Sequence, residues 1–468
     1  MKKILSVILS FIMFFPSYLF SFLPKNIDTD FSFESGFSEN KIMLCNELTD
    51  VEISGGFKKD NAVLYDFGNV KTDWFNYFGI KYKSDSYTAG VITYINKSAK
   101  TYTEEFFLEP SENGVFYSFI DNILDKNKAN KISFLAFIPL DKESGSFSLE
   151  GIGVFNREIP DREIYVQNDE YKLGVDLLWG GALSYLEDLD SNVEAVKIDG
   201  RIFVDSNASE RYNSKSVNSN VNLINRHDTG RLVQQSYYGT AGGRYVCGEY
   251  MGNKWNYNPV QGGNQFDEAS KIVDIIVSDN SLYVKCRPLD WAKSADDITP
   301  SYMEATYTLK KNIIDVSCRF VDFSGYESVT TTQEMPAFYC IEPFNRFVYY
   351  GGSSPWTSDE NLSYENKLIF WPDAGYPNFY STENWAAFIG EYDDSFGIGI
   401  YVPSEPAFLA GVYNRETTSD TDPSVDIATS YIAAVEVMEF SSFKPVEYVY
   451  SISTGTVTEM RNAFATVK

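Results

Sequence analysis

From residue 28 to residue 160 apolar and polar positions alternate in short runs separated by turn residues. Phe75 to Tyr82, Val91 to Ile95, Glu105 to Leu108, Val115 to Ile120, Ile132 to Ile138 and Phe147 to Phe155 each put apolar side chains on one face at the two-residue period of a strand. Ser111-Glu-Asn-Gly114 and Glu143-Ser-Gly145 interrupt the runs with residues that favour tight turns. Even spacing without an amphipathic helix predicts an antiparallel β-sandwich over residues 28–160. The charged stretch Asn156-Arg-Glu-Ile-Pro-Asp-Arg-Glu163 then reads as a domain boundary.

Residues 165–468 are strand after strand again, as in Ile272 to Val277, Leu282 to Cys286, Met303 to Leu309, Ile313 to Phe320, Ala386 to Gly390 and Gly397 to Val402. No fixed period recurs, which argues against a propeller and for a large antiparallel sandwich of two sheets. Long loops, Asp205 to Val221 and Gly239 to Gln265, would crown one face. The one helix signal comes last, where Thr456 and Glu459 form a capping box ahead of Val457 to Val467. The expected fold class is all-β, with well under a fifth of residues in helix.

The N-terminus has a different pattern. Lys2 and Lys3 precede an apolar run from Ile4 to Phe20 broken only by small polar residues and Pro16, the layout of a signal peptide over residues 1–21. It predicts a secreted or cell-envelope protein, periplasmic or extracellular. Left uncleaved, the same run is nearly long enough to anchor the chain in a membrane. Composition adds three exclusions. Lys and Arg number 39 against 65 Asp and Glu, a net charge of −26 that repels nucleic acid. A single histidine, His227, rules out a two-histidine metal site, and neither a metal nor a cofactor is expected. The five cysteines lack paired spacing, so at least three free, buried thiols are expected. The 35 Phe and 33 Tyr suit sheets and contact surfaces for sugars or proteins.

The densest polar chemistry runs from Asn225 to Asn264, with four cations (Arg226, Arg231, Arg244, Lys254) against two acids (Asp228, Glu249). Planar donors, rings and glycines together are what a sugar site needs: forked hydrogen bonds to neighbouring hydroxyls and flat faces for C–H stacking. Asn225, Arg226, Arg231, Gln235, Tyr237, Tyr238, Trp255, Asn258, Gln261 and Asn264 are therefore candidate glycan contacts, with Arg231 as the anchoring fork. The alternative is an internally paired loop in which Arg226 or Arg231 bridges Asp228.

Leu178-Trp-Gly-Gly-Ala-Leu-Ser-Tyr-Leu186 resembles the opening strand of galactose-mutarotase-like sandwiches, and Gly230-Arg231 stands where that superfamily often has Gly-Arg. Val260-Gln-Gly-Gly-Asn-Gln-Phe266 is similar to the segment where aldose epimerases carry His-Gly-Gly. The resemblance spans residues 174–266 and implies a β-supersandwich with a sugar in its concave face. In those epimerases a histidine serves as acid and a glutamate as base. Gln261 stands at the would-be histidine position here, so the resemblance implies the fold and a carbohydrate association rather than epimerase chemistry. The first region resembles, in pattern, the jelly-roll modules of secreted polysaccharide-degrading enzymes.

Ordinary glycoside hydrolysis requires two carboxyl groups across a sugar. Asp228, Glu249, Asp267, Glu268, Glu334, Glu342 and Glu383 are available, and Glu334 lies beside the apolar Met335-Pro336 turn, which favours a raised pKa. His227, Asp228 and Glu334 are the candidate catalytic residues, the lone histidine being equally suited to a structural hydrogen bond. A polysaccharide lyase would instead use Arg231, Asn225, His227 and Tyr237 or Tyr238. Trp356, Trp371 and Trp385 are read as core or loop packing residues ahead of stacking platforms for sugar rings, and Ser419 to Asp426 as a solvated turn rather than a calcium loop. The sequence thus points to a glycan or oligosaccharide as partner, with a glycoside hydrolase ahead of a non-catalytic carbohydrate-binding protein.

Overall fold

The computed structural model describes residues 49–468 apart from 59–61, 72–74, 124–129, 159–160, 240–247, 295–297, 326–327, 358, 360, 370–377, 414–418 and 420. The expected signal peptide, Cys45, Cys247, Arg244 and Trp371 lie outside the described residues. Strands account for 57% of the structure and helices for 6%, so the all-β expectation holds. Two compact units divide between residues 159 and 160.

The first unit consists of two four-stranded antiparallel sheets. One orders Thr49–Lys58, Ser144–Phe155, Tyr77–Ser84 and Ser111–Phe119; the other orders Val63–Lys71, Lys131–Pro139, Thr88–Ile95 and Thr101–Leu108. Aromatic rings fill the space between them. Phe106 stacks on Phe116 at 5.3 Å and meets Phe78 edge-on at 5.5 Å, while Phe137 stacks on Phe147 at 4.2 Å. The Phe106 ring lies so close to Gly90 that a methyl group there would sit 2.1 Å from it, which explains a glycine inside that strand.

The second unit is built on a ten-stranded and a nine-stranded sheet, both antiparallel. The larger runs Asn378–Tyr380, Ala407–Tyr413, Thr429–Phe440, Val329–Ile341, Val233–Ser236, Ala182–Asp188, Tyr171–Asp176 and Glu163–Gln167, with two short strands off this path. The two sheets meet where Tyr237 stacks on Phe320 at 4.3 Å and Phe440 packs at 5.7 Å from the same ring. Cys286, Cys318 and Cys340 are free and buried.

The last helix, Val457–Ala465, opens on the expected box: the Thr456 hydroxyl accepts from the Glu459 N–H while the Glu459 carboxylate accepts from the Thr456 N–H. Its apolar side, Val457, Met460 and Phe464, packs with Trp385, Ile389 and Tyr401 of the nine-stranded sheet. Beneath it Glu383, 1% exposed, accepts from Arg461 Nε and Nη2 at 2.8 and 2.6 Å, from Trp385 Nε1 at 2.7 Å and from the Trp356 N–H at 2.5 Å. Glu383 is thereby an anchor for the helix, and Trp385 a core residue.

Candidate functional site

Along Thr429–Phe440 the side chains alternate, and the set containing Phe440 faces the nine-stranded sheet. The other set, Tyr431, Ala433, Val435 and the 68%-exposed Val437, faces away from the sandwich interior. Residues directly opposite share that outer face: Tyr339 beside Tyr431, Glu334 beside Val435, Leu409 beside Ala433. Ala337, Leu409, Tyr431 and Ala433 pack together there, with Tyr339 and Val435 against them, and the Tyr339 and Tyr431 rings lie 4.4 Å apart.

Glu334 is the carboxyl group on this apolar floor. A register slip between Glu334 and Phe338 locally bends the strand. The Tyr431 hydroxyl donates to Glu334 Oε2, and the Tyr238 hydroxyl makes a longer contact of 3.5 Å to the same oxygen. Burial raises the Glu334 pKa, and the two hydroxyls oppose that shift. The same burial, and next the neighbouring carboxyl group, push the Tyr431 hydroxyl well up.

The turn over residues 225–231 borders the face, since the Tyr339 N–H donates to the Leu232 carbonyl at 3.1 Å. Asn225, fully buried, donates to the carbonyls of Asp426 at 2.9 Å and Ala428 at 2.7 Å and accepts from the His227 N–H at 3.0 Å. Asp228 accepts from the N–H groups of Gly230 and Arg231 at 3.0 and 3.1 Å, the hydrogen bonding of an Asx turn. Arg231 donates through Nη1 to Asp228 and through Nη2 to the Ile427 carbonyl at 2.8 Å; its buried Nε has no partner among the described residues. Its guanidinium lies 5.9 Å from the Tyr413 ring. A methyl group on Gly230 would sit 2.5 Å from the Trp291 ring, so glycine admits that close approach. Tyr250 meets Trp255 and Trp291 edge-on at 5.2 and 5.6 Å, and its hydroxyl is raised by burial first and by Asp228 next.

The sequence candidates separate by position. Asp228, Arg231, Tyr238, Trp255 and Glu334 are half-buried and border the outer face or the niche around the ion pair. His227 is exposed and pairs through Nδ1 with the Val425 carbonyl at 2.8 Å. Arg226 turns to Glu163 at 2.6 Å. Asn225, Gln235, Tyr237, Asn258, Gln261 and Asn264 correct the expectation of direct sugar contacts: all are buried, with their side chains committed to protein groups. Gln235 donates to the Glu304 carbonyl and accepts from Tyr237, while Gln261 accepts from the Gln235 N–H. Asn258 donates to the Tyr237 carbonyl, and Asn264 to Glu268 and the Lys293 carbonyl. The Arg231 fork expected to face a ligand is likewise turned to Asp228 and Ile427.

Tyr339, Tyr413 and Tyr431 carry no local motif and share a face only through strand register, while Tyr250 and Trp291 meet between a short hairpin and the segment after Leu289–Asp290. The site therefore offers the half-buried Tyr339 and Val435 and the exposed Val437 over a buried layer of Ala337, Leu409, Tyr431 and Ala433, one carboxyl group held toward its neutral form, and a braced ion pair ringed by aromatics. Flat rings beside a few convergent polar groups suit a polyhydroxy ligand.

No protein-family model matches the chain, and no curated protein does. Solved structures similar to it include a protein assigned as an aldose 1-epimerase from Escherichia coli K12, with 11% identity over 63% of this chain and 99% of its own and a TM-score of 0.35. A galactose 1-epimerase from Lactobacillus acidophilus NCFM has 12% identity over 64% of this chain and 96% of its own, TM-score 0.33. An alpha-galactosidase from Geobacillus stearothermophilus has 10% identity over 64% of this chain and 41% of its own, TM-score 0.33. These neighbours are named as two sugar epimerases and a galactosidase. At such scores they assign no activity, and the functional reading rests on the side chains.

Proposed function

We propose that the chain acts on a glycan held on the outer face of the ten-stranded sheet, as a glycoside hydrolase with Glu334 as proton donor. The observation that carries this reading is a half-buried carboxyl group set between two tyrosine hydroxyls on an aromatic floor. A carboxyl group whose pKa is raised is suited to protonating a leaving oxygen, and the half-buried Tyr238 and Tyr339 rings give a sugar its apolar faces. Asp228, braced at the border of that face, is the second carboxyl group that hydrolysis requires. Export to the envelope or medium, from the N-terminal pattern, belongs to the same proposal.

Glycan binding without turnover is the second reading. It draws on Asp228, whose two oxygens are engaged by Arg231 and by two N–H groups. A lyase is less favoured, because the guanidinium that would neutralise a uronate is already paired. The test is release of reducing sugar and of unsaturated uronate from a polysaccharide panel, beside binding by affinity electrophoresis. The hydrolase reading expects reducing-sugar release that Glu334→Gln abolishes while binding persists. Binding without release favours the second reading, uronate products favour the lyase, and no binding at all removes the carbohydrate reading.

A further inference from the structure

An open groove of about 580 Å³ lies at the edge of the ten-stranded sheet, where Glu163–Gln167 is the last strand. Arg162, Glu163, Tyr165, Asp176, Trp179 and Arg226 line it, together with Asp161 and Val425. Arg226 belongs to the same 225–231 turn that carries Asp228 and Arg231, and His227 is hydrogen-bonded to the carbonyl of Val425. The turn thus contributes Arg226 to this groove and Asp228 and Arg231 to the ion-pair niche.

The groove's groups are fixed and partly unused. Arg162 donates through Nε and Nη2 to Asp176, a carboxylate 1% exposed, while Arg162 itself is 55% exposed. Arg226 Nη1 and the Tyr165 hydroxyl both donate to Glu163, at 2.6 and 3.1 Å. That leaves Arg162 Nη1, Arg226 Nη2 and the indole N–H of Trp179 without a partner among the described residues. The Trp179 ring lies 5.7 Å from the Arg162 guanidinium, and Tyr165 is 37% exposed. Two cations against Asp161, Glu163 and Asp176 leave the lining one charge negative, in a chain of net charge −26. An anionic ligand is disfavoured there, whereas a neutral sugar ring can take planar donors, an adjacent carboxylate and two aromatic surfaces at once.

We propose that this groove is a remote subsite for a neutral sugar residue, so that the ligand is an oligosaccharide or longer chain reaching from the outer face across the 225–231 turn. The inference rests on the glycan reading of the outer face and adds the class of ligand to it. Calorimetric titration of the full chain with neutral gluco-, galacto-, xylo- and manno-oligosaccharides of two to six residues tests it, with oligogalacturonate as the anionic control. Affinity should rise with chain length in the wild type. Trp179→Ala and Tyr165→Ala should each lower affinity for the longest ligand about tenfold, equivalent to roughly 1.4 kcal/mol, and leave the disaccharide unchanged. Folded variants that keep the full length dependence overturn the subsite, as does tighter binding of oligogalacturonate that these variants weaken. Binding without length dependence overturns the subsite and leaves the outer-face reading standing. If no oligosaccharide binds the wild type, both fall.

Discussion

Glu383 is the carboxyl group whose substitution best separates structure from chemistry. It accepts four hydrogen bonds, two from Arg461 and one each from Trp385 and Trp356, while Arg461 retains 13% side-chain exposure. Removing one partner of a buried pair costs about 3–5 kcal/mol, because the other charge remains desolvated. Arg461 would keep the Asp359 carbonyl at 2.6 Å, the Asp359 carboxylate at 3.7 Å and the Tyr350 ring at 4.6 Å. Those contacts put Glu383→Gln at the low end, about 3 kcal/mol, or about 5–10 °C in melting temperature for a unit of this size. Urea unfolding followed by tryptophan fluorescence is the direct assay, since two of the four donors belong to Trp356 and Trp385. Glu383→Leu with Arg461→Met should recover most of the loss, because apolar replacement removes both charges together. Glycan binding by the folded variant should equal that of the wild type. A Glu383→Gln protein of unchanged stability that has lost binding would refute this reasoning and move the site to the other sheet.

Glu334→Gln makes a pH-dependent prediction. With the folded pKa raised above its ordinary 4.5, the carboxyl's stabilising contribution is complete below that value and disappears as pH rises through the folded pKa. Wild type should therefore lose stability relative to Glu334→Gln as pH rises from about 4.5 through the folded pKa, by about 1.4 kcal/mol for each unit of the raise, and a pH-independent difference refutes it. Arg231→Lys loses the fork that spans the Asp228 carboxylate and the Ile427 carbonyl, so a destabilisation of about 1–3 kcal/mol is expected in thermal melts; an unchanged melt with lost glycan affinity would restore the fork to the ligand. Burial pushes the Cys318 thiol up to about 12 and raises those of Cys286 and Cys340, so native labelling with a thiol reagent should spare all three; rapid modification of any of them contradicts their burial.

The strands were legible because one physical requirement, a period of two, acts over many residues. Ile313 to Phe320 shows it in sequence and lies within the strand Ile313–Asp322. The helix was legible from its cap, although it ends at Ala465 rather than Val467. Glu334 was legible through Met335 and Pro336 beside it. The amides were less so, because backbone brackets and sugar sites use the same donors. Asn225 and Asn264 hold carbonyls together with the geometry that would have held hydroxyls. The tyrosine floor left no local signal at all: Tyr339 and Tyr431 are neighbours only through the register of two distant strands.

The bracing of the 225–231 turn has a consequence for the timing of assembly. Its side chains and N–H groups lean on residues 424–428, roughly two hundred positions later: Asn225 on Asp426 and Ala428, Arg226 on Ser424, Arg231 on Ile427. During synthesis from the N-terminus, the sandwich of residues 49–159 can close long before those partners emerge, whereas the turn cannot take its final shape until the chain is nearly complete. A ribosome stalled midway would carry a finished first unit and an unformed site, and a chain cut before residue 424 would lack both the strut beneath Asp228 and Arg231 and the interior strands Thr429–Phe440 and Val446–Gly455 that join the halves of the two large sheets.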